Sequence, residues 1–265
     1  MEEVHGGMQA YGGVSVVNAV GSWFGSSMAV DLKVEVTVRE GRPNIEDPLI
    51  KEILEFFHRR YRVPDLEVEV RSEIPSGSGL KSSSAVSTAL IGEISRTYGV
   101  QVDVPKLSAI LSLKAGVSYT GALDDAVAAY FGGISFTHNK EFKVIRRDRA
   151  PEDVKVILLA RGGRGGVDPN RLRGFPLLFR SIFELAIQGR LWEAMRLNGI
   201  AVAEILGYSK EPVDDALRRG ALASGISGNG PSYFAVVKCG EEGPILDSWT
   251  KFGKITVVRP INLEG

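Results

Sequence analysis

The chain has 265 residues, 44% of them hydrophobic and 24% charged, the make-up of a folded globular protein with room for a sizeable core. Its 32 lysines and arginines balance 32 aspartates and glutamates, so no net field recruits nucleic acid or an anionic membrane. Cys239 is the only cysteine, which excludes an intrachain disulfide or cysteine metal cluster and fits a reducing compartment. With no apolar run of bilayer-spanning length and no signal-peptide character in residues 1–5, a cytoplasmic protein without nucleic-acid or membrane partners is expected.

Residues 11–20 and 29–38 read as two strands, the second alternating at Leu32, Val34, Val36 and Val38. Pattern alone makes the segment between them, Gly21-Ser-Trp-Phe-Gly-Ser-Ser, a hairpin connection. Residues 47–61 place Leu49, Ile50, Ile53, Leu54, Phe56 and Phe57 at the spacing of an amphipathic helix. It ends in His58-Arg-Arg-Tyr-Arg, cations that complement a helix C-terminus. Residues 66–71 alternate as a half-buried strand and run into Ile74-Pro-Ser-Gly-Ser-Gly-Leu-Lys-Ser-Ser-Ser-Ala85.

Ala85, Val86, Ala89, Leu90 and Ile94 then recur at helical spacing over 82–98, so the segment reads strand, glycine loop, helix. Gly77 and Gly79 let backbone N–H groups converge on an anion, the helix N-terminus favours negative charge, and Lys81 adds a cation. Ser82, Ser83 and Ser84 supply hydroxyls for a cap, a phosphate or its metal. The same composition also describes a surface loop before an N-cap. It is not a Walker A loop, because Leu80 stands where that motif has glycine. Nor is it a dinucleotide fingerprint, because Ser82 stands where the third glycine belongs.

A break at Val104-Pro105 precedes a helix over 106–114. Asp124 and Asp125 then open a small apolar helix that ends in Gly132-Gly133. Aspartates suit the first turn of any helix, and they also suit the orienting or deprotonation of an acceptor hydroxyl. The polar residues 146–151 suggest a boundary that divides the chain into 1–150 and 151–265. Beyond it lie an apolar run over 154–160, a basic glycine loop whose Arg161 and Arg164 suit the clamping of a carboxylate or phosphate, and helices over 176–188 and 191–206. A second glycine-rich stretch over 223–237, a helix over 245–252 and a strand over 255–258 complete an α+β chain with a small C-terminal sheet.

Pro75, Gly79, Leu80, Ser82, Ser83 and Ala85 resemble the second motif of the GHMP kinases, the superfamily of galactokinase, homoserine kinase, mevalonate kinase and phosphomevalonate kinase. Lysine at 81, where most of those kinases have glycine, resembles their archaeal shikimate kinase branch, as do Asn18-Ala-Val-Gly, Ala29-Val-Asp-Leu-Lys and Ala194-Met-Arg-Leu-Asn-Gly. Gly121, Asp124, Gly132 and Gly133 fall on the superfamily's aspartate pattern, and Gly225, Gly228, Gly230 and Pro231 on its third motif.

The resemblance implies an N-terminal α+β domain of the type shared with ribosomal proteins, a ferredoxin-like C-terminal domain, and an active site between them. It implies ATP and Mg2+, with ATP held by Pro75, Ser76, Gly77, Ser78, Gly79, Leu80, Lys81, Ser82, Ser83, Ser84 and Ala85 together with Gly225, Gly228 and Gly230. Asp124 takes the place of the catalytic aspartate, and Asn18, Gly21 and Asp31 border the acceptor pocket. The implied reaction is phosphorylation of the shikimate 3-hydroxyl. Homoserine and pantoate are the alternative acceptors, and a non-catalytic nucleotide binder is the alternative of another class. One departure stands out: relatives carry a magnesium-holding glutamate about a dozen residues before the aspartate, whereas no Asp or Glu lies between Asp103 and Asp124. Ser83, with Asp125 or Glu93 replacing that glutamate, is then the expected metal contact.

Overall fold

The alternating valines and leucines of the first 40 residues make two long antiparallel strands, β1 (Met8–Val17) and β2 (Phe24–Glu40). The structure is a computed structural model in which residues 6–161 and 166–263 are described. β2 begins at Phe24 rather than at the expected 29, because Gly25, Ser26 and Ser27 hold strand geometry without an apolar alternation to announce it. The connection is correspondingly short and is closed by the Trp23 N–H donating to the Ala19 carbonyl at 2.7 Å.

Helix α1 (Pro48–Tyr61) starts where the Asp47 carboxylate accepts the Leu49 and Ile50 N–H groups, and it buries Leu49, Ile50, Ile53 and Phe57. Strand β3 (Leu66–Ser72) pairs with the second half of β2. The glycine loop leads into α2 (Ser82–Tyr98), followed by α3 (Val104–Lys114) and α4 (Leu123–Phe131). Pro105 opens α3 rather than breaking the chain before it: Asp103 caps the helix, and a first-turn proline lacks only an N–H that would have no partner there. Two strands not expected from pattern close this half, β4 (Ile134–His138) and β5 (Lys143–Asp148). β5 is a charged, exposed edge strand, so the polar stretch from Arg146 begins inside the sheet.

The five-stranded sheet runs β1-β2-β4-β5, with β3 beside the other half of β2. A second sheet follows. β6 (Val154–Leu159), a 3-10 turn (Pro169–Gly174), α5 (Pro176–Ile187), α6 (Leu191–Leu206) and an unexpected α7 (Glu211–Arg218) precede β7 (Ala223–Ile226) and β8 (Tyr233–Lys238). α8 (Gly243–Trp249) with a 3-10 turn to Phe252 occupies the expected 245–252 helix, and β9 (Ile255–Val258) is last. The antiparallel order β7-β8-β6-β9, with helices between the first and second and between the third and fourth of these strands in chain order, is ferredoxin-like.

Fully buried Phe57, Leu90, Phe179, Tyr233 and Trp249 belong to one continuous core that spans both sheets. Each such side chain contributes roughly 1.5–3 kcal/mol by leaving water. After β9 the chain returns to the first sheet, where the Ile261 N–H donates to Ala29 O and Asn262 exchanges two hydrogen bonds with the Ala150 backbone. Among the described residues no helix is long and apolar enough to cross a membrane.

Candidate active site

Two helices begin at one cavity without a side-chain cap. Lys81, before α2, and Ala122, before α4, both take left-handed backbone conformations (φ +70° and +52°), and neither side chain caps its helix. Two sets of first-turn N–H groups therefore face one space with the positive ends of their helix dipoles. That space is lined by Gly77, Ser78, Gly79 and Lys81 through Ser84 on one side, by Thr120, Ala122, Asp124 and Asp125 on another, and by Asn18, Gly228 and Asn229. An anion with several oxygens suits such a cradle. Gly77 (φ +66°) has nothing within 4 Å of where a Cβ would stand, so its backbone is open to a ligand.

Asp124 is 4% exposed. Its Oδ1 accepts from Asn139 Nδ2 at 2.8 Å and its Oδ2 from Ser27 Oγ at 3.4 Å, while Ser135 Oγ donates to its backbone carbonyl at 2.8 Å. Gly25 makes room for it: a Cβ there would stand 2.5 Å from the Asp124 Cγ. Burial first, and then the neighbouring Asp125 charge, push the Asp124 carboxyl up to about 7, while Lys81 and Asn139 pull the other way. Asp125 accepts from Ser27 Oγ and pairs with Lys81 Nζ at 2.9 Å. Lys81 Nζ also donates to Ser15 Oγ at 2.8 Å, and that hydroxyl in turn accepts the Gly228 N–H at 2.9 Å. Ser15 thereby joins the two glycine loops, and Lys81 joins the first of them to the acidic pair.

The structure brings together most of the residues expected from sequence. Gly77 through Gly79, Lys81 through Ser84, Asn18, Asp124, Asp125 and Gly228 all line the cavity. Others serve it from behind. Leu80 and Ala85 are core residues, Pro75 gives its carbonyl to the Ser78 hydroxyl, and Ser76 is exposed. Gly225 packs on Gly199 of α6, and Gly230 packs on the Tyr208 ring.

Four expected residues lie elsewhere. Gly21 is closed against the Phe179 ring. Asp31 is exposed and exchanges backbone and side-chain hydrogen bonds with Arg259 of the returning chain. Arg161 lies over Tyr233, with Nη2 on the Phe252 carbonyl. Glu93, proposed as a substitute metal ligand, is buried against Arg96 and accepts the Met8 N–H; its partner three residues on is the signal that was available in the sequence. Arg164 lies outside the described residues. Among the described residues no three His, Cys, Asp or Glu side chains come together as a metal cage.

Sequence reading gave no site role to several small and polar residues that fix this cavity. Ser15, Gly25 and Ser27 are small residues inside otherwise apolar strands, and Asn139 follows a strand that was not anticipated. Asn198 of α6 is fully buried, and its Oδ1 accepts the Asn18 N–H at 2.8 Å, holding Asn18 where its Nδ2 donates to Gly228 O and Asn229 Oδ1.

Residues 48–133 match the family of the GHMP kinases N terminal domain. The chain is 34% identical over 263 residues to a shikimate kinase of Archaeoglobus fulgidus, covering 95% of this chain and 91% of that protein. It is 35% identical over 265 residues to a shikimate kinase of Pyrococcus furiosus, covering 92% and 95%. In structure it is similar to the Methanococcus jannaschii mevalonate kinase (TM-score 0.76, 16% identical, 96% of this chain and 98% of that one). It is likewise similar to a homoserine kinase from Cytophaga hutchinsonii (TM-score 0.68, 17% identical, 100% and 98%). These two likenesses speak to the fold alone, and that fold is the α+β architecture expected from the sequence.

Proposed function

The chain belongs to the GHMP kinase family, in its archaeal shikimate kinase branch, and from that premise we propose that it transfers the terminal phosphoryl group of ATP to the 3-hydroxyl of shikimate, giving shikimate 3-phosphate and ADP. The observation that carries the reading is one cavity lined both by an open glycine loop and by a buried carboxylate pushed up to about 7. A base whose pKa lies near the working pH is best placed to take a hydroxyl proton. Asp124 accepts the proton of the acceptor hydroxyl as that oxygen bonds to the terminal phosphorus. The bond from phosphorus to the bridging oxygen breaks, and that oxygen leaves on ADP. Asn139 and Ser27 hold the carboxylate in place, and the N–H groups of residues 77–84 neutralise phosphate oxygens.

Magnesium supplies charge neutralisation when bound with ATP, and Mg2+ needs few protein ligands. Ser83 and Asp125 offer oxygens to it on the cavity wall. Asp125→Asn should raise the magnesium concentration needed for half-maximal rate; an unchanged requirement removes Asp125 from that role. We also assign residues 1–150 and 151–265 to two domains, because the first sheet ends at Asp148 and the second begins at Val154. We place the reaction in the cytoplasm, where ATP is made and the free thiol of Cys239 stays reduced.

The test is ADP release and 31P NMR of the product with shikimate, homoserine and pantoate offered in parallel. Shikimate should be phosphorylated most efficiently. Turnover of homoserine or pantoate with shikimate untouched reassigns the acceptor, and turnover of none leaves a nucleotide-binding protein.

A further inference from the structure

Resting on the reading of shikimate as acceptor, we infer that Arg173 is the residue that holds the acceptor's carboxylate and so sets its specificity. Among the described residues that line the cavity the one cation is Lys81, which already pairs with Asp125 and is the cation expected to meet phosphate. A carboxylate brought beside Asp124 and Asp125 needs a positive partner that is not already engaged. Arg173 is the described arginine that hydrogen-bonds to a lining residue: its Nη2 donates to the Tyr119 carbonyl at 3.2 Å, and its guanidinium lies 5.7 Å from the centre of the Trp23 ring. No carboxylate among the described residues pairs with it, so the rest of its planar donor fork remains for a ligand.

Its placement is built rather than incidental. The turn that carries it is capped by Asp168, which accepts the Asn170 N–H at 3.0 Å, and is pinned by the fully buried Leu172 next door. Trp23, under the guanidinium, is held at φ +68°, a conformation costly for a bulky residue and the kind of strain that collects at functional sites. Both of its contacts are linked to the residue that holds the base. The Trp23 carbonyl accepts the Asn139 N–H at 2.8 Å, and Tyr119 precedes Thr120, whose Oγ1 accepts from the same Asn139 Nδ2 that donates to Asp124. In shikimate a single ring carbon separates the carbon bearing the carboxylate from the carbon bearing the 3-hydroxyl. An acceptor that presents this hydroxyl to Asp124 therefore carries its carboxylate to the adjoining wall.

The experiment compares wild type, Arg173→Ala and Arg173→Lys with shikimate and with its methyl ester. Losing charge-assisted hydrogen bonds should raise the KM for shikimate roughly 10–100-fold in Arg173→Ala, with KM for ATP and kcat at saturating shikimate little moved. The ester should be a poor acceptor for wild type and equally poor for Arg173→Ala, and Arg173→Lys should recover part of the shikimate KM. Matching thermal melts establish that the variants are folded. A wild-type protein that leaves shikimate untouched overturns the functional reading and this inference with it. Wild-type turnover with an unmoved KM in Arg173→Ala, or an equal KM rise for the ester, overturns this inference alone.

Discussion

In the first glycine loop Gly77 turns at φ +66° with nothing near its absent side chain, while in the second glycine-rich stretch Gly225, a residue of β7, lies against the backbone of Gly199 and Gly230 against the Tyr208 ring. Gly79 and Gly228 stand between these extremes, since each packs on the opposite loop: a Cβ on Gly79 would meet the Ser227 and Gly230 carbonyls, and one on Gly228 would come within 3.0 Å of Gly79 O. The first loop uses glycine to keep backbone open to a ligand. The second uses it to let a helix, a ring and a neighbouring loop approach closely. Glycine-rich sequence alone does not distinguish these uses, although both loops serve one cavity.

The largest effect expected comes from removing the chemistry while both loops stay intact. Asp124→Asn keeps shape but not charge, and turnover should fall roughly 10²–10⁴-fold with nucleotide affinity retained, read by steady-state rates and by calorimetric titration. Its stability should change in the opposite direction. Because the folded Asp124 carboxyl is raised to about 7, the folded state binds the extra proton, and the stability this gives wild type is present below the ordinary aspartate range and lost as pH rises through about 7. Melted without nucleotide or metal, Asp124→Asn should therefore exceed wild type by on the order of 1–3 kcal/mol at pH 8, and the gap should close toward pH 4. An equal gap at both pH values means that Asp124 is not the group raised.

Gly225→Ala sharpens the contrast next. The added methyl meets Gly199 backbone in α6, which cannot swing aside as a side-chain tip can. A loss of about 3 kcal/mol in a urea melt is expected, with the KM for ATP of the folded fraction unchanged. Gly77→Ala should invert that pattern: a modest cost of about 1 kcal/mol for the left-handed backbone, and weaker nucleotide binding. If Gly225→Ala weakens nucleotide binding while Gly77→Ala does not, the two loops have been given each other's roles.

How much of this was legible in sequence follows from what each feature asks of the chain. Long-period signals were readable. α1, α2, α5 and α6 carry apolar side chains at helical spacing, whereas the Asp103 cap of α3 went unread behind the break expected at Pro105. β5 was not, because an edge strand needs no apolar alternation, and β2 was cut short because Gly25 and Ser27 answer to Asp124 across 97 residues or more rather than to their neighbours. Asp124 stands out only by family pattern, since any helix tolerates aspartates in its first turn. Glu93 drew attention by its charge, yet Arg96, one turn on, had already claimed it.

Lys81 stands at a position where most of the kinases it resembles have glycine. Its φ of +70° explains the family's residue, because a glycine reaches that conformation without strain. What lysine gains in return is a side chain 8% exposed that bridges Ser15 and Asp125. Two substitutions separate backbone from charge. Lys81→Ala and Lys81→Gly both remove the cation and both leave Asp125 without it, so these costs cancel between them. Alanine keeps the Cβ that disfavours a positive φ, whereas glycine relieves it but carries more unfolded-state entropy. Net of that entropy, Lys81→Gly should be more stable than Lys81→Ala by roughly 0.5–1 kcal/mol in matched urea melts. Both should raise the KM for ATP to the same degree, because a charge-assisted contact with phosphate is lost in each. Equal stabilities mean that position 81 is not strained in the folded protein. A KM for ATP that neither substitution moves confines the lysine to holding Asp125, leaving phosphate to the backbone of the loop alone.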